Sequence, residues 1–114
     1  MTNVSKELMS EVLNYEVDTF LGLNKNEIDY TCCRDENEGY IDISINLYEF
    51  AFKCKEWAFK NNYKIQSQIN ESNKGHSHIT KNDDDCWAKG FFENTEVEVI
   101  IKSCEFILTK KESK

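Results

Sequence analysis

Asn46 to Asn61 reads NLYEFAFKCKEWAFKN, and the spacing of its apolar residues decides how the rest of the chain is parsed. Leu47, Phe50, Ala51, Cys54, Trp57 and Ala58 fall at offsets 0, 3, 4, 7, 10 and 11, one stripe of a 3.6-residue helix. Tyr48, Phe52 and Phe59 make a second, aromatic stripe on a different side. A helix this apolar is either sandwiched within a small core or offers its extra face to something else. Asn46 stands where a capping side chain is needed, with Glu49 at the capping-box distance. Asn61-Asn62 ends the helix, because Asn tolerates the left-handed conformation used at helix C-termini.

Upstream of this helix, Tyr40 to Ile45 alternates, with Ile41, Ile43 and Ile45 on one face and Tyr40, Asp42 and Ser44 on the other. Ile28 to Cys33 alternates too, and the intervening charged turn ends in Gly39, so the two runs predict a β-hairpin with one wet face. Residues 15–27 have no clear period, and Gly22 breaks them. Residues 3–14 predict a helix lined by Val4, Leu8 and Val12, with Thr2 or Asn3 as its cap.

Downstream, Tyr63, Ile65, Ser67 and Ile69 alternate with polar residues and predict a half-buried strand. Residues 70–85 are polar with a single Ile and read as a long loop. Cys86 to Phe92 reads as a further strand, in which Gly90 marks a bulge or the close approach of another backbone. Thr95 with Glu98 opens a last helix over 95–109, presenting Val97, Ile100, Ile101, Cys104, Ile107 and Leu108, and 110–114 reads as a frayed tail. Both later helices carry Cys at offset seven, which follows from the shared period of core helices and need not mean a duplication.

The expectation is one α+β domain over 1–114, in the order α-β-β-α-β-β-α. Four strands form one mostly antiparallel sheet, and three helices pack mainly on one face. A crossover from 40–45 through the central helix to 63–69 adds one parallel pair.

Composition narrows the function. Of 114 residues, 39% are hydrophobic, with seven Phe, five Tyr and two Trp, which argues for a folded chain with one real core. No apolar run approaches membrane-spanning length, and the N-terminal MTNVSKELMSEVL has no apolar h-region. A cytoplasmic protein without membrane contact is expected, and its five cysteines read as buried reduced thiols. The net charge of −7 is uneven: residues 1–50 carry 3 basic and 11 acidic side chains, residues 51–114 carry 11 basic and 10 acidic. The basic residues are lysines apart from Arg34, which argues against direct nucleic-acid binding. An acidic half suits a basic partner surface.

Chemistry-bearing groups are sparse. His76 and His78 are spaced H-x-H, with Asp83, Asp84, Asp85 and Cys86 following, and His76, His78 and Cys86 are the candidate metal ligands. Cys32 or Cys33 would need a base close in space to act as a nucleophile. The paired carboxylates sit in predicted turns, which do not raise a carboxyl pKa for acid catalysis. No phosphate-cradling or hydrolase motif occurs, so neither catalysis nor a cofactor is expected.

FFENTEVEVIIKSCEFIL, a strand ending in aromatics followed by a capped amphipathic helix, resembles segments of small phage proteins of the α-β-α sandwich kind, and KCKEWAFKNNYKI is similar in the same way. The likeness covers Asn46 to Thr109. It implies an origin on a phage or mobile element, where small acidic proteins bind and block host defence nucleases, anti-CRISPR proteins among them.

Three functions follow as expectations. The first is a non-enzymatic inhibitor docking an acidic surface on a basic, nucleic-acid-binding site of a host protein, a nuclease or CRISPR effector. Its contacts are Asp29, Asp35, Glu36, Glu38 and Asp42, with Tyr48, Phe52 and Phe59 as aromatic anchors. The second is a metal-binding protein or metal-dependent enzyme using His76, His78 and Cys86. The third is a self-associating structural protein, in the simplest case a homodimer, using the aromatic stripe.

Overall fold

Caps and short turns set the element boundaries in the computed structural model, which describes residues 4–35, 39–82 and 84–112, with side chains for all of these except 33–35, 84–87 and 112. In order the elements are α1 (Lys6–Leu13), β1 (Thr19–Asn24), β2 (Glu27–Asp35), β3 (Gly39–Asn46), α2 (Leu47–Lys60), β4 (Tyr63–Ile69), β5 (Gly75–Lys81), β6 (Asp84–Glu93) and α3 (Glu96–Glu112). Ser5, rather than Thr2 or Asn3, caps α1, its Oγ accepting from the Leu8 amide at 3.1 Å. Asn46 caps α2 by accepting from the amides of Tyr48 and Glu49 at 2.9 and 3.1 Å. Asn62 leaves α2 with φ 71°, and the Asn61 side-chain amide donates to the Trp57 carbonyl at 2.8 Å. Thr95 Oγ1 accepts from the Glu98 amide at 3.1 Å and donates to its carboxylate. Lys110 and Lys111 lie in the last turn of α3, where they complement the helix dipole, and not in a frayed tail.

The strands overturn the expected single sheet. They form two separate three-stranded antiparallel sheets, β1-β2-β3 and β4-β5-β6, each a meander. Two strands absent from the sequence reading make the difference. β1 pairs with β2 across the two-residue turn Lys25–Asn26, in which Lys25 has φ 58°, and its register shifts at Gly22, whose φ of 147° the bulge exploits. β5 lies inside the stretch expected to be a loop. With β5 in place, β4 and β6 find their partners through short local connections, and the parallel pairing of β3 with β4 does not form.

The chain divides into two compact units, 1–50 and 51–114, so the boundary falls within α2. Each half runs through a helix and then a three-strand meander, and α3 closes the series. In unit 1 the buried apolar residues are Val4, Leu8, Met9, Val17, Ile28, Tyr30, Cys32 and Phe50. In unit 2, α3 packs against β5, β4 and β6, burying Ile65, Ile79, Val99, Ile101 and Ile107. Cys54 of α2 and Cys104 of α3, the two residues at offset seven, meet: the Cys104 thiol donates to the Cys54 carbonyl at 3.4 Å. No described helix is long and apolar enough to cross a membrane.

α3 approaches β5 closely because small residues line that strand's inner face. A Cβ on Gly75 would lie 2.1 Å from the Thr95 carbonyl oxygen. Ser77 is fully buried and hydrogen-bonded at 2.7 Å to Ser103, which in turn donates to the Val99 carbonyl at 2.8 Å. The two hydroxyls satisfy each other where no water reaches.

Candidate functional site

The acidic candidates lie on β2 and β3. The antiparallel register sets Thr31 opposite Asp42, Asp29 opposite Ser44 and Glu27 opposite Asn46. Strand alternation places Glu27, Asp29, Asp42 and Ser44 on one face, while Ile28, Tyr30 and Cys32 point to the other and are buried. Asp42 and Glu27 are exposed and Asp29 is half-buried, accepting from the Ser44 hydroxyl at 2.5 Å. Tyr40, in step with Asp42 and Ser44, is 64% exposed. This is a sheet face with carboxylates, hydroxyls and an aromatic ring, and no lysine lies in its three strands. Glu27 and Tyr40 were not among the sequence candidates. Their place follows from the same period of two once the register is known. Asp35 ends β2 opposite Gly39, with its side chain outside the described residues, and Glu36 and Glu38 also lie outside them.

The aromatic stripe of α2 is open. Tyr48, Phe52 and Phe59 are 60%, 66% and 63% exposed, whereas Phe50, Ala51, Cys54, Trp57 and Ala58 on the other stripe are buried. The helix therefore uses one stripe for the core and presents the other. On β6, Phe91 is half-buried and meets Phe106 edge-on at 5.5 Å, and its neighbour Phe92 is exposed.

Of the three metal candidates, His76 and His78 have described side chains, and that of Cys86 lies outside them. His76 and His78 lie on β5, not in a loop. His78 pairs with Gly90 of β6, and Cys86 falls beyond Ala88, where the register of that strand shifts. Among the described residues, no group of three or more His, Cys, Asp or Glu side chains could hold a metal ion.

Among the described side chains no thiol stands ready as a nucleophile, and that of Cys33 lies outside them. Cys32, Cys54 and Cys104 are free and buried. Burial pushes the Cys54 thiol well up, and the hydrogen-bonding Cys104 side chain adds to the effect. The Tyr30 phenol is likewise held above its ordinary range, first by burial and then by its hydrogen bond to Tyr15. Both shifts favour neutral, inert groups.

In unit 2 an open cleft of about 320 Å³ is lined by Lys60, Asn61, Asn62, Tyr63, Lys81, Lys110 and Lys111. Lys81 lies over the Tyr63 ring and Lys111 over Trp57, at 5.9 and 5.4 Å. The lysines at the C-terminal ends of α2 and α3 suit the negative ends of those helices.

In three comparisons with known proteins, no family model matches the chain, nor does any curated protein or solved structure.

Proposed function

We propose that the chain is a non-enzymatic protein-binding module whose acidic sheet face docks on a basic surface of another protein. One observation carries this reading: the charge division and the structural division coincide. Residues 1–50 form unit 1 and hold 3 basic against 11 acidic side chains, while residues 51–114 hold 11 against 10, so the net negative charge falls on one folded unit with a defined sheet face. Such a face steers a basic partner and sets its register. The partner class that fits is a nucleic-acid-binding protein, whose lysines and arginines are arranged for repeated negative charge. The resemblance to small phage proteins adds the direction of the effect: an inhibitor, of the anti-CRISPR kind, occupying that site on a host nuclease.

The test is affinity capture from bacterial lysate, using the wild-type chain and the Asp29→Lys/Asp42→Lys double variant as baits, read by quantitative mass spectrometry. The reading expects nucleic-acid-binding proteins enriched on the wild type, depleted on the variant and displaced by added nucleic acid. Equal capture by both baits would sink it.

A second reading, self-association through α2, rests on the three exposed aromatics and on a charge pattern. Laid antiparallel on a second copy, Glu49 faces Lys60 and Lys53 faces Glu56, although Lys55 then meets its own copy. Sedimentation of wild type against Phe52→Ala/Phe59→Ala separates the two: a monomer in both removes this reading.

A further inference from the structure

Both histidines of the chain lie on β5, and strand alternation puts them on the same face. In the register His76 sits between Gln68 and Phe92, and His78 between Gln66 and Gly90. This is the outer face of the sheet: Gln66, Gln68, His78, Gly90 and Phe92 are exposed and His76 is half-buried. The His76 ring is braced. It stacks on Phe92 with centroids 4.6 Å apart and planes inclined by 22°, and its Nδ1 lies 3.5 Å from the Gln68 amide. Its other nitrogen, Nε2, lies 4.0 Å from where a Cβ on Gly90 would be.

Gly90 has no backbone reason to be glycine. Its φ is not in the left-handed region, the register shifts only beyond Thr80, and a Cβ would make ordinary contacts. The bulge or close approach expected from the sequence is absent at this position. What the missing side chain leaves is open space on the outer face, beside His76 Nε2 and in the same rung as His78.

We propose that His76 and His78 form an open two-nitrogen site, seated over Gly90, for a divalent late first-row cation such as Zn²⁺ or Ni²⁺. Imidazole is a preferred ligand of these ions. Alternate residues of a strand have Cα atoms about 7 Å apart. Two imidazoles can lean together from that spacing and ligate one ion at about 2.0–2.1 Å. The Gln68 amide, turned to present its oxygen, accepts the His76 Nδ1 proton and fixes the tautomer whose Nε2 lone pair is available. Cys86 is not part of the proposed pair, its place on β6 being at the register shift between Ala88 and Asp84. Two protein nitrogens leave the remaining positions to water or to a donor atom of a docked molecule.

The experiment titrates Ni²⁺ and Zn²⁺ into the full chain, followed by ¹H–¹⁵N NMR and calorimetry. Paramagnetic Ni²⁺ should first broaden the amides of Gln66, His76, His78 and Gly90. His76→Gln and His78→Gln should each weaken binding roughly tenfold or more. Gly90→Val, which keeps both ligands and suits a strand, should weaken it by filling the space, and Cys86→Ser should leave it unchanged. His76, His78 and Gly90 lie on the outer face, and a dispersed spectrum verifies the fold of every variant. Three results would overturn the site: wild-type affinity in the double His→Gln variant, equal loss in Cys86→Ser and His78→Gln, or broadening centred on the 83–85 aspartates.

Discussion

Gly75→Ala is the substitution whose cost is most directly written in the geometry. A methyl at this position lies 2.1 Å from the Thr95 carbonyl oxygen, 2.4 Å from its carbon and 2.7 Å from the Glu96 amide nitrogen. All three are backbone atoms, so no side chain can swing aside. A carbon and a carbonyl oxygen tolerate about 3.3 Å, so the start of α3 must move by about 1 Å. Forcing such a shift in a packed interior costs about 1–3 kcal/mol. The same movement loosens the Thr95 cap and the 2.7 Å hydrogen bond from Ser67 to the Glu96 carboxylate, each contributing about 1 kcal/mol. The expected loss is about 3–5 kcal/mol, a fall in Tm on the order of 10–20 °C. Gly90→Ala on the neighbouring strand is the control. Its Cβ meets the Ser77 carbonyl oxygen at 3.5 Å and His76 Nε2 at 4.0 Å, ordinary contacts, so it should be neutral or gain up to about 1 kcal/mol from a less flexible unfolded chain. Urea denaturation followed by tryptophan fluorescence reads both, because Trp57 and Trp87 belong to unit 2. A Gly75→Ala midpoint equal to that of Gly90→Ala would refute the close approach of α3 to β5.

The buried hydroxyl pair should respond asymmetrically in the same assay. Ser103→Ala strands the Ser77 hydroxyl, at about 1–3 kcal/mol, whereas Ser77→Ala leaves Ser103 still donating to Val99, so the first should be the costlier change. Tyr30 sets an alkaline limit on unit 1. Its folded-state pKa is raised above the unfolded value of about 10, so its contribution is intact below that pH and declines as pH rises past it. Tyr30→Phe should therefore lose less stability than wild type between about pH 10 and 11.5, and Tyr15→Phe should bring phenolate absorbance at lower pH. Cys32, Cys54 and Cys104 should resist a thiol reagent in the native chain and react together with unfolding; prompt reaction of Cys54 or Cys104 would contradict their burial.

The helices and four of the six strands were legible in the sequence, three of those strands through a period of two whose inward residues are large and apolar. β4 was predicted over the range it occupies, and the division of α2 into a buried and an open stripe follows from its offsets. β5 escaped because its inward positions are Gly75, Ser77 and Ile79, and two of these three carry no hydropathy signal. They are small because α3 presses on them, a tertiary demand that no local pattern expresses. β1 escaped because the bulge at Gly22 breaks its alternation. Losing those two strands turned two meanders into one imagined sheet. The same error left the histidine pair without a geometry: in a loop H-x-H is only a spacing, and on a strand it is a shared face. The acidic face was legible as a hairpin with one wet side, but the contributions of Glu27 and Tyr40 needed the register.

The central claim is that the sheet face carrying Asp29 and Asp42 binds a basic surface. The measurement that tests it most directly is the dissociation constant for the captured partner as a function of ionic strength, for wild type and for Asp29→Lys/Asp42→Lys. Electrostatic docking predicts wild-type binding that weakens steeply with salt, with the variant weaker at low salt and flatter in its dependence. Identical affinities and identical salt slopes would contradict it.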